Sequence, residues 1–458
     1  MAHAPTSTWR GELAATLRLA GPLAVANLLQ MLVYVMDVIF VARLGELPLA
    51  ASSLAIALFG LMMWCFSGAT GMVAALIAAE LGRRRHAVRE VRRSARMALW
   101  LAVLCGLIGM AVCWFGREIM LAAGQPADIA EAAGGFLRVI MWAMIPMICA
   151  NVLRSVVSAL GRPLFATLIT ALAVGVSALA NYAFVFGHFG APALGLEGSA
   201  LASVVTGVFG LASYVVAIQT DRRLRRYHLF GNWWRTEWSR FRELVRVGAP
   251  VALTILAEGA LFSGAAFLMG LISASQLAGH TIALQVAALA FQVPFGIGQA
   301  ATIRVGFHYG ARDHAAIGRA GWVAIVGGTG FMALTAAIML FAPKLVLGIY
   351  VDTGSAANAA LMGFAVKFMV VAAAFQLFDG MQAVAAGALR GLQDTRMPML
   401  IALFGYWVPG LGTAVFLGFF TPLEGLGVWI GLAVGLVVVA LLMLQRWSRR
   451  ARLGLLPA

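Results

Sequence analysis

Read from its first residue, the chain alternates between long apolar runs and short polar interruptions, and the pattern continues to the last residues. Each run of about 18 residues or more is long enough to cross a hydrocarbon core of ~30 Å as a helix. Twelve such runs can be placed, at 16 to 42, 47 to 80, 95 to 115, 132 to 157, 164 to 186, 194 to 219, 247 to 270, 276 to 306, 318 to 341, 358 to 388, 397 to 419 and 424 to 445. A segment with no water around it must close its backbone hydrogen bonds internally, so these runs are predicted as helices. The fold class that follows is all-α integral membrane, with 12 transmembrane helices. Composition sharpens this reading: 62% of the 458 residues are hydrophobic and 11% charged, against about 25% charged in a soluble domain.

The net charge of +15 could point to nucleic acid, but the placement of the basic residues argues against it. With the N-terminus inside, 28 of the 33 Lys and Arg fall in the inner segments, including seven in 83 to 96 and eight in 222 to 246. That asymmetry orients a membrane protein and predicts cytoplasmic termini, with no nucleic-acid partner. A cleaved signal peptide is an alternative for the stretch ending at Ala42, but its apolar part is too long for one and returns as a repeat. Cys65, Cys105, Cys113 and Cys149 all lie in predicted spans without CxxC spacing, and read as packing residues.

The longest basic loop separates six runs from six. Expected boundaries are an N-lobe over 1–219, a cytoplasmic linker over 220–246 and a C-lobe over 247–458. Sliding the sequence on itself until Pro22 meets Pro250 brings GPLAVANLL onto APVALTILA and LGRRRHA onto YGARDHA, with 12 identities over residues 21–87. The matches cluster at loop ends, as in Gly82/Gly310, Arg84/Arg312 and His86/His314. Two lobes with an even number of spans share one orientation, the parallel-repeat plan of many secondary transporters, whose sites lie near the midplane. Trp233, Trp234 and Trp238 stand among arginines in the linker, a composition suited to the headgroup interface.

Candidate chemistry lies in three acids deep in the runs: Asp37, Glu258 and Asp379. Asp37 sits in VYVMDVIFVARLG, where ten of thirteen side chains are hydrophobic. A charge at a helix centre costs at least ~2.5–3.5 kcal/mol on insertion scales, so each acid is a functional candidate. It can serve proton exchange, or a pair can hold a hard cation such as Na+; the bland alternative is a structural hydrogen bond to a neighbouring helix. Gln30, seven residues before Asp37, shares nearly the same helix face. Pro22 reads either as a bend or as a helix entrance, with Pro250 as its repeat mate, and Asn181 is an amide that can donate to Asp37 or pack helices. No P-loop, HExxH or CxxC pair occurs, and no catalytic residue or cofactor is expected.

The stretches VYVMDVIFVARLG, LANYAFVFG, EGALF and FQLFDGMQAVAAGALRGLQDTRMP together resemble the multidrug and toxic compound extrusion (MATE) family of the bacterial NorM type. The resemblance covers about residues 15–445. It implies two six-helix lobes in a V and export of cationic or amphipathic organic compounds in exchange for H+ or Na+. It also implies that Asp37 is the N-lobe coupling acid with Gln30 and Asn181 in its pocket, and that Glu258 and Asp379 are the C-lobe acids, with a possible Na+ site. Two residues depart from the pattern. Phe375 stands where NorM-type members often have Tyr, and Ser177 stands where an Asn is common. A monomer in the cell inner membrane is expected, with organic cations and membrane lipid as its partners. Two alternatives remain: a flippase for lipid or lipid-linked oligosaccharide, and an integral-membrane lipid-modifying enzyme. The first would line its cavity with basic residues, and none is expected deep in a span; the second would cluster its polar residues near one interface.

Overall fold

The computed structural model describes residues 7–84 and 87–458. Arg85 and His86, which contribute to the basic loop and to the repeat match, lie outside these. Among the described residues, twelve helices are long and apolar enough to cross a membrane, and there is no strand. They are α1 (Trp9–Ala42), α2 (Glu46–Arg83), α3 (Val88–Trp114), α4 (Ala127–Ala159), α5 (Leu164–Phe186), α6 (Leu196–Thr220), α7 (Trp238–Ile272), α8 (Ala274–Gly310), α9 (His314–Phe341), α10 (Ala356–Gly391), α11 (Arg396–Phe419) and α12 (Gly425–Ser448). Every predicted run is a helix. The largest differences are at the basic ends, where α1, α3 and α7 each start about two turns or more ahead of the apolar runs. A helix does not stop where apolarity stops, because its backbone bonds are local. Those overhanging turns are amphipathic and carry charges such as Glu12 and Arg240.

The chain divides into two compact units: Val25–Ala252, and Met1–Ala24 together with Leu253–Ala458. Both boundaries fall inside helices, α1 and α7, and the residues that open them, Val25 and Leu253, are mates at the offset that aligns the halves. Pro22 stands inside α1, and Pro250 inside α7, each just ahead of its boundary. The helix-entrance alternative for Pro22 therefore does not apply.

Small residues set the packing within each unit. In Val25–Ala252, a Cβ added at Gly106 of α3 would meet Ile145 Cγ1 of α4 at 2.4 Å, and one at Gly198 of α6 would meet the Phe184 carbonyl oxygen of α5 at 2.3 Å. In the other unit, α8 and α10 cross at Gly298 and Gly387, where a Cβ on Gly387 would sit 2.4 Å from the Gly298 carbonyl oxygen. The Thr302 hydroxyl donates to the Gly387 carbonyl at 2.8 Å across this crossing. Close approach through small residues is how helices associate where lipid removes the hydrophobic driving force. α11 is interrupted by a π turn, Tyr406–Gly410, containing Pro409; such turns recur at functional sites.

Ion pairs tie down the helix starts. Glu12 of α1 accepts from Arg304 of α8 at both oxygens, each 2.7 Å, and both side chains are 0% exposed. His308 Nε2 lies 3.3 Å from Glu12 and 3.0 Å from Arg304 Nη2. In the other unit Arg240 of α7 donates to Glu80 of α2 at 2.9 Å. Glu12 and Arg240 are repeat mates, and so are Glu80 and His308, so the contacts Glu12–His308 and Arg240–Glu80 occupy equivalent positions with acid and base exchanged. Two basic residues are nonetheless packed within protein near the basic ends of their spans. Arg304 is buried in α8, and Arg154 in α4 donates to Asn27 of α1 at 2.5 Å. Glu12 offsets the first charge, and hydrogen bonding accommodates the second.

The linker folds onto the first unit. Glu237 accepts from Arg93 and, at 3.0 Å, from Arg96, whose guanidinium also donates to the Asn232 carbonyl at 2.9 Å. Trp100 donates to the Trp233 carbonyl at 3.2 Å, whereas Trp234 and Trp238 are exposed.

Candidate functional site

In the unit Val25–Ala252, helices α5 and α6 converge on Asp37 of α1. Asn181 Nδ2 of α5 donates to Asp37 Oδ1 at 2.7 Å, and the Ser177 hydroxyl, one turn earlier on α5, donates to the same oxygen at 3.1 Å. Ser203 of α6 donates to Oδ2 at 3.4 Å. Ser177 and Asn181 are fully buried, and the i, i+4 spacing puts them on one face of α5. Two of the three donors also reach an acceptor in their own helix: Asn181 Nδ2 lies 2.9 Å from the Ser177 carbonyl, and Ser203 Oγ lies 3.3 Å from the Ser199 carbonyl. Asn181 Oδ1 is buried without a hydrogen-bond partner among the described residues. The carboxylate is thus solvated by donors supplied by the protein, which offsets part of the cost of its burial.

Ser177, the departure from the family pattern, keeps a donor on Asp37. Gln30 lies on the exposed side of α1 and makes no hydrogen bond to Asp37 among the described residues. The buried amide on this part of α1 is Asn27, held by Arg154. Ser203 was not anticipated from the sequence, although the Ser199/Ser203 pair, four apart in SALASVV, was a usable signal.

The other unit gathers its acids on different helices. Glu258 of α7 and Asp379 of α10 are within electrostatic reach of each other, and Arg390, in the last turn of α10, acts on Glu258. Tyr406, at the π turn of α11, is fully buried and interacts with both acids and with Arg390. Phe375, one turn before Asp379, is buried against Trp429 of α12 at 5.4 Å and Phe262 of α7 at 6.0 Å, both edge-on. The hydroxyl absent at residue 375 has a counterpart in Tyr406, which from α11 lies within electrostatic range of the acids without a hydrogen bond to either among the described residues. Among the described residues no group of three or more His, Cys, Asp or Glu is positioned to hold a metal ion.

A family model for MatE matches the chain twice, at residues 22–183 and 250–415. The chain belongs to the MatE family. The two matches begin at Pro22 and Pro250, the same pair of prolines that sets the register between the halves. Membership makes this MatE chain a membrane transporter and not an enzyme. Among its relatives, a probable multidrug resistance protein NorM of Mesorhizobium japonicum is 45% identical over 99% of this chain and 97% of its own length. One of the same description from Brucella suis is 43% identical over 96% and 94%. The fold matches that of an outward-facing multidrug resistance MATE family transporter of the MOP superfamily, with TM-score 0.85 and 21% identity over 99% of both chains. It also matches the eukaryotic MATE transporter AtDTX14, with TM-score 0.83 and 20% identity over 98% of this chain and 100% of that one.

Proposed function

We propose that this MatE chain is an antiporter that exports cationic or amphipathic organic compounds, including drugs, with Asp37 binding the coupling proton. Glu258 and Asp379 form a second acid pair able to take H+ or Na+. The observation that carries the reading is the hydrogen-bond design around Asp37, which suits both of its protonation states. Ionised, the carboxylate accepts three donors. Protonated, it becomes a donor itself, and Asn181 and Ser203 fall back on the carbonyls of Ser177 and Ser199. The Ser203 hydroxyl oxygen, with its own proton on the Ser199 carbonyl, then accepts the new O–H. A proton can therefore come and go without orphaning a buried group, whose desolvation would cost about 1–3 kcal/mol. Gain or loss of that charge changes what α1, α5 and α6 prefer to be near, so proton binding biases conformation.

The relatives described as probable multidrug resistance proteins support the substrate class, and the carboxylates favour cations by attraction. The basic helix ends support cytoplasmic termini in a cell inner membrane. The test is efflux of a fluorescent organic cation from proteoliposomes under a pH gradient or, separately, a Na+ gradient. Proton-driven transport that Asp37→Asn abolishes, with the variant still folded, is expected. Wild-type efflux in Asp37→Asn, or transport driven by Na+ alone, would overturn the role given to Asp37.

A further inference from the structure

The linker between α6 and α7 uses up its acids within the unit Val25–Ala252 and leaves arginines over. Asp221 pairs with Arg162, Glu237 with Arg93 and Arg96, and Glu243 with Arg240. Arg222, Arg223, Arg225, Arg226 and Arg235 are exposed and have no carboxylate partner among the described residues. This surplus charge surrounds a cavity of about 350 Å³ at the end of α6, with Ile218, Gln219, Arg225, His228, Leu229 and Phe230 in its lining. Arg92 of α3 stands beside it, since a Cβ on the lining residue Gly231 would lie 3.9 Å from Arg92 Cδ and Nη1. The walls are held by the fold: Leu224, Tyr227 and Leu229 are buried, and the Gly231 N–H donates to the His228 carbonyl at 2.9 Å. One wall is therefore cationic and the other apolar. A third surface adjoins them. On the side of α6 opposite Ser203, Val205, Val208, Ala212 and Val216 form an exposed strip at three- and four-residue spacing, which leads to Gln219 at the cavity. Exposed Trp234 and Trp238 place this end of the unit at headgroup depth.

We propose that this cavity binds the headgroup of an anionic phospholipid from the leaflet at the basic helix ends, with Arg225 on the phosphate and an acyl chain along the α6 strip. A guanidinium offers two parallel N–H donors to phosphate oxygens, and a basic cluster beside a membrane span draws anionic lipid to it. A free anion would use only the cationic wall. A phospholipid uses that wall, the apolar one and the strip, and it is the ligand present at that depth. Bound there, it holds the linker that joins the two halves of the chain against the membrane.

The test titrates the full-length protein in neutral detergent with phosphatidylglycerol and, separately, with phosphatidylcholine, whose choline would meet the same arginines. Native mass spectrometry counts the bound lipids, and thermal unfolding shows that each variant is folded. Phosphatidylglycerol should bind the more tightly. Arg225→Gln should weaken it about fivefold, the effect of one arginine at an anionic membrane surface, and leave phosphatidylcholine unchanged. Arg225→Lys keeps the charge and should lose less. Arg242→Gln removes an exposed arginine that does not line the cavity, and should bind as wild type does. Equal binding of the two lipids, or equal losses in Arg225→Gln and Arg242→Gln, would mean diffuse attraction and overturn the site. Hydrogen exchange over 222–231 supplies the last arm: phosphatidylglycerol should slow it, and inorganic phosphate at the same concentration should not. Equal slowing by inorganic phosphate would put a free anion in the cavity and overturn the lipid assignment.

Discussion

Replacing Glu12 by Gln tests how firmly the first turns of α1 are held in their unit. Both Glu12 oxygens sit 2.7 Å from Arg304, and both side chains are fully inaccessible. Removing the carboxylate charge takes the counter-charge from a guanidinium in a site water does not reach, and such losses cost about 3–5 kcal/mol. Arg240–Glu80 in the other unit, the repeat equivalent of the Glu12–His308 contact, offers an internal comparison. Arg240 and Glu80 have side chains 17% and 9% exposed, so water and neighbouring groups compensate part of the loss, and Arg240→Gln should cost about 1–2 kcal/mol, between the exposed and buried limits. Replacing Glu12 and Arg304 together by Leu and Met removes both charges and should cost less than Glu12→Gln alone. Denaturant unfolding of the purified protein in detergent, followed by tryptophan fluorescence, gives the energies. Tryptic cleavage after Arg10 or Arg18 reports release of the segment. A Glu12→Gln cost below about 1 kcal/mol, or one no larger than that of Arg240→Gln, would refute the argument from burial.

Tyr406→Phe keeps the ring and removes the hydroxyl near Glu258 and Asp379. It should leave folding nearly intact while changing ion-driven efflux severalfold, because the hydroxyl dipole acts on both acids at close range; unchanged efflux would remove Tyr406 from the site. Gly321→Ala would place a Cβ 1.8 Å from Trp447 Cζ2, in buried packing that tolerates overfilling at a cost of about 1–3 kcal/mol or more. Gly327→Ala, with nothing within 4 Å, should be neutral or stabilising, and thermal unfolding separates the two. Asp221 caps the short helix Arg222–Arg225 through the N–H groups of Arg223 and Leu224 and pairs with Arg162. Burial raises its carboxyl pKa, but the bonds from Arg162, Arg223 and Leu224 outweigh that and hold it below the ordinary 3.8. The depressed value means that its contribution to the linker is complete above that ordinary value and is lost as pH falls through the folded one. Asp221→Asn should reproduce the acid state at neutral pH, read as faster hydrogen exchange over 222–231.

Element type, the number of spans, the repeat and the expense of three acids were all readable in the order of the amino acids. Each of these depends on a transfer cost paid residue by residue: a bilayer of fixed thickness admits helices of known length, and a carboxylate in one costs energy whatever its neighbours are. The register that sets Pro22 on Pro250 was legible without a structure too, since it compares the chain only with itself. Partners were not legible, because transfer costs say nothing about which helix stands beside which. Packing turned Gln30 outward, brought Ser203 to Asp37 across 166 residues, and set Tyr406 near two acids as Phe375 withdrew into aromatic contacts. Glu12 looked like an ordinary polar residue ahead of the first apolar run; docking against α8, 292 residues away in Arg304, made it the counter-charge of a buried cation. Hydrophobicity acts without direction and can be read along the chain, whereas hydrogen bonds and ion pairs need two groups within about 3 Å, a distance set only when the helices pack.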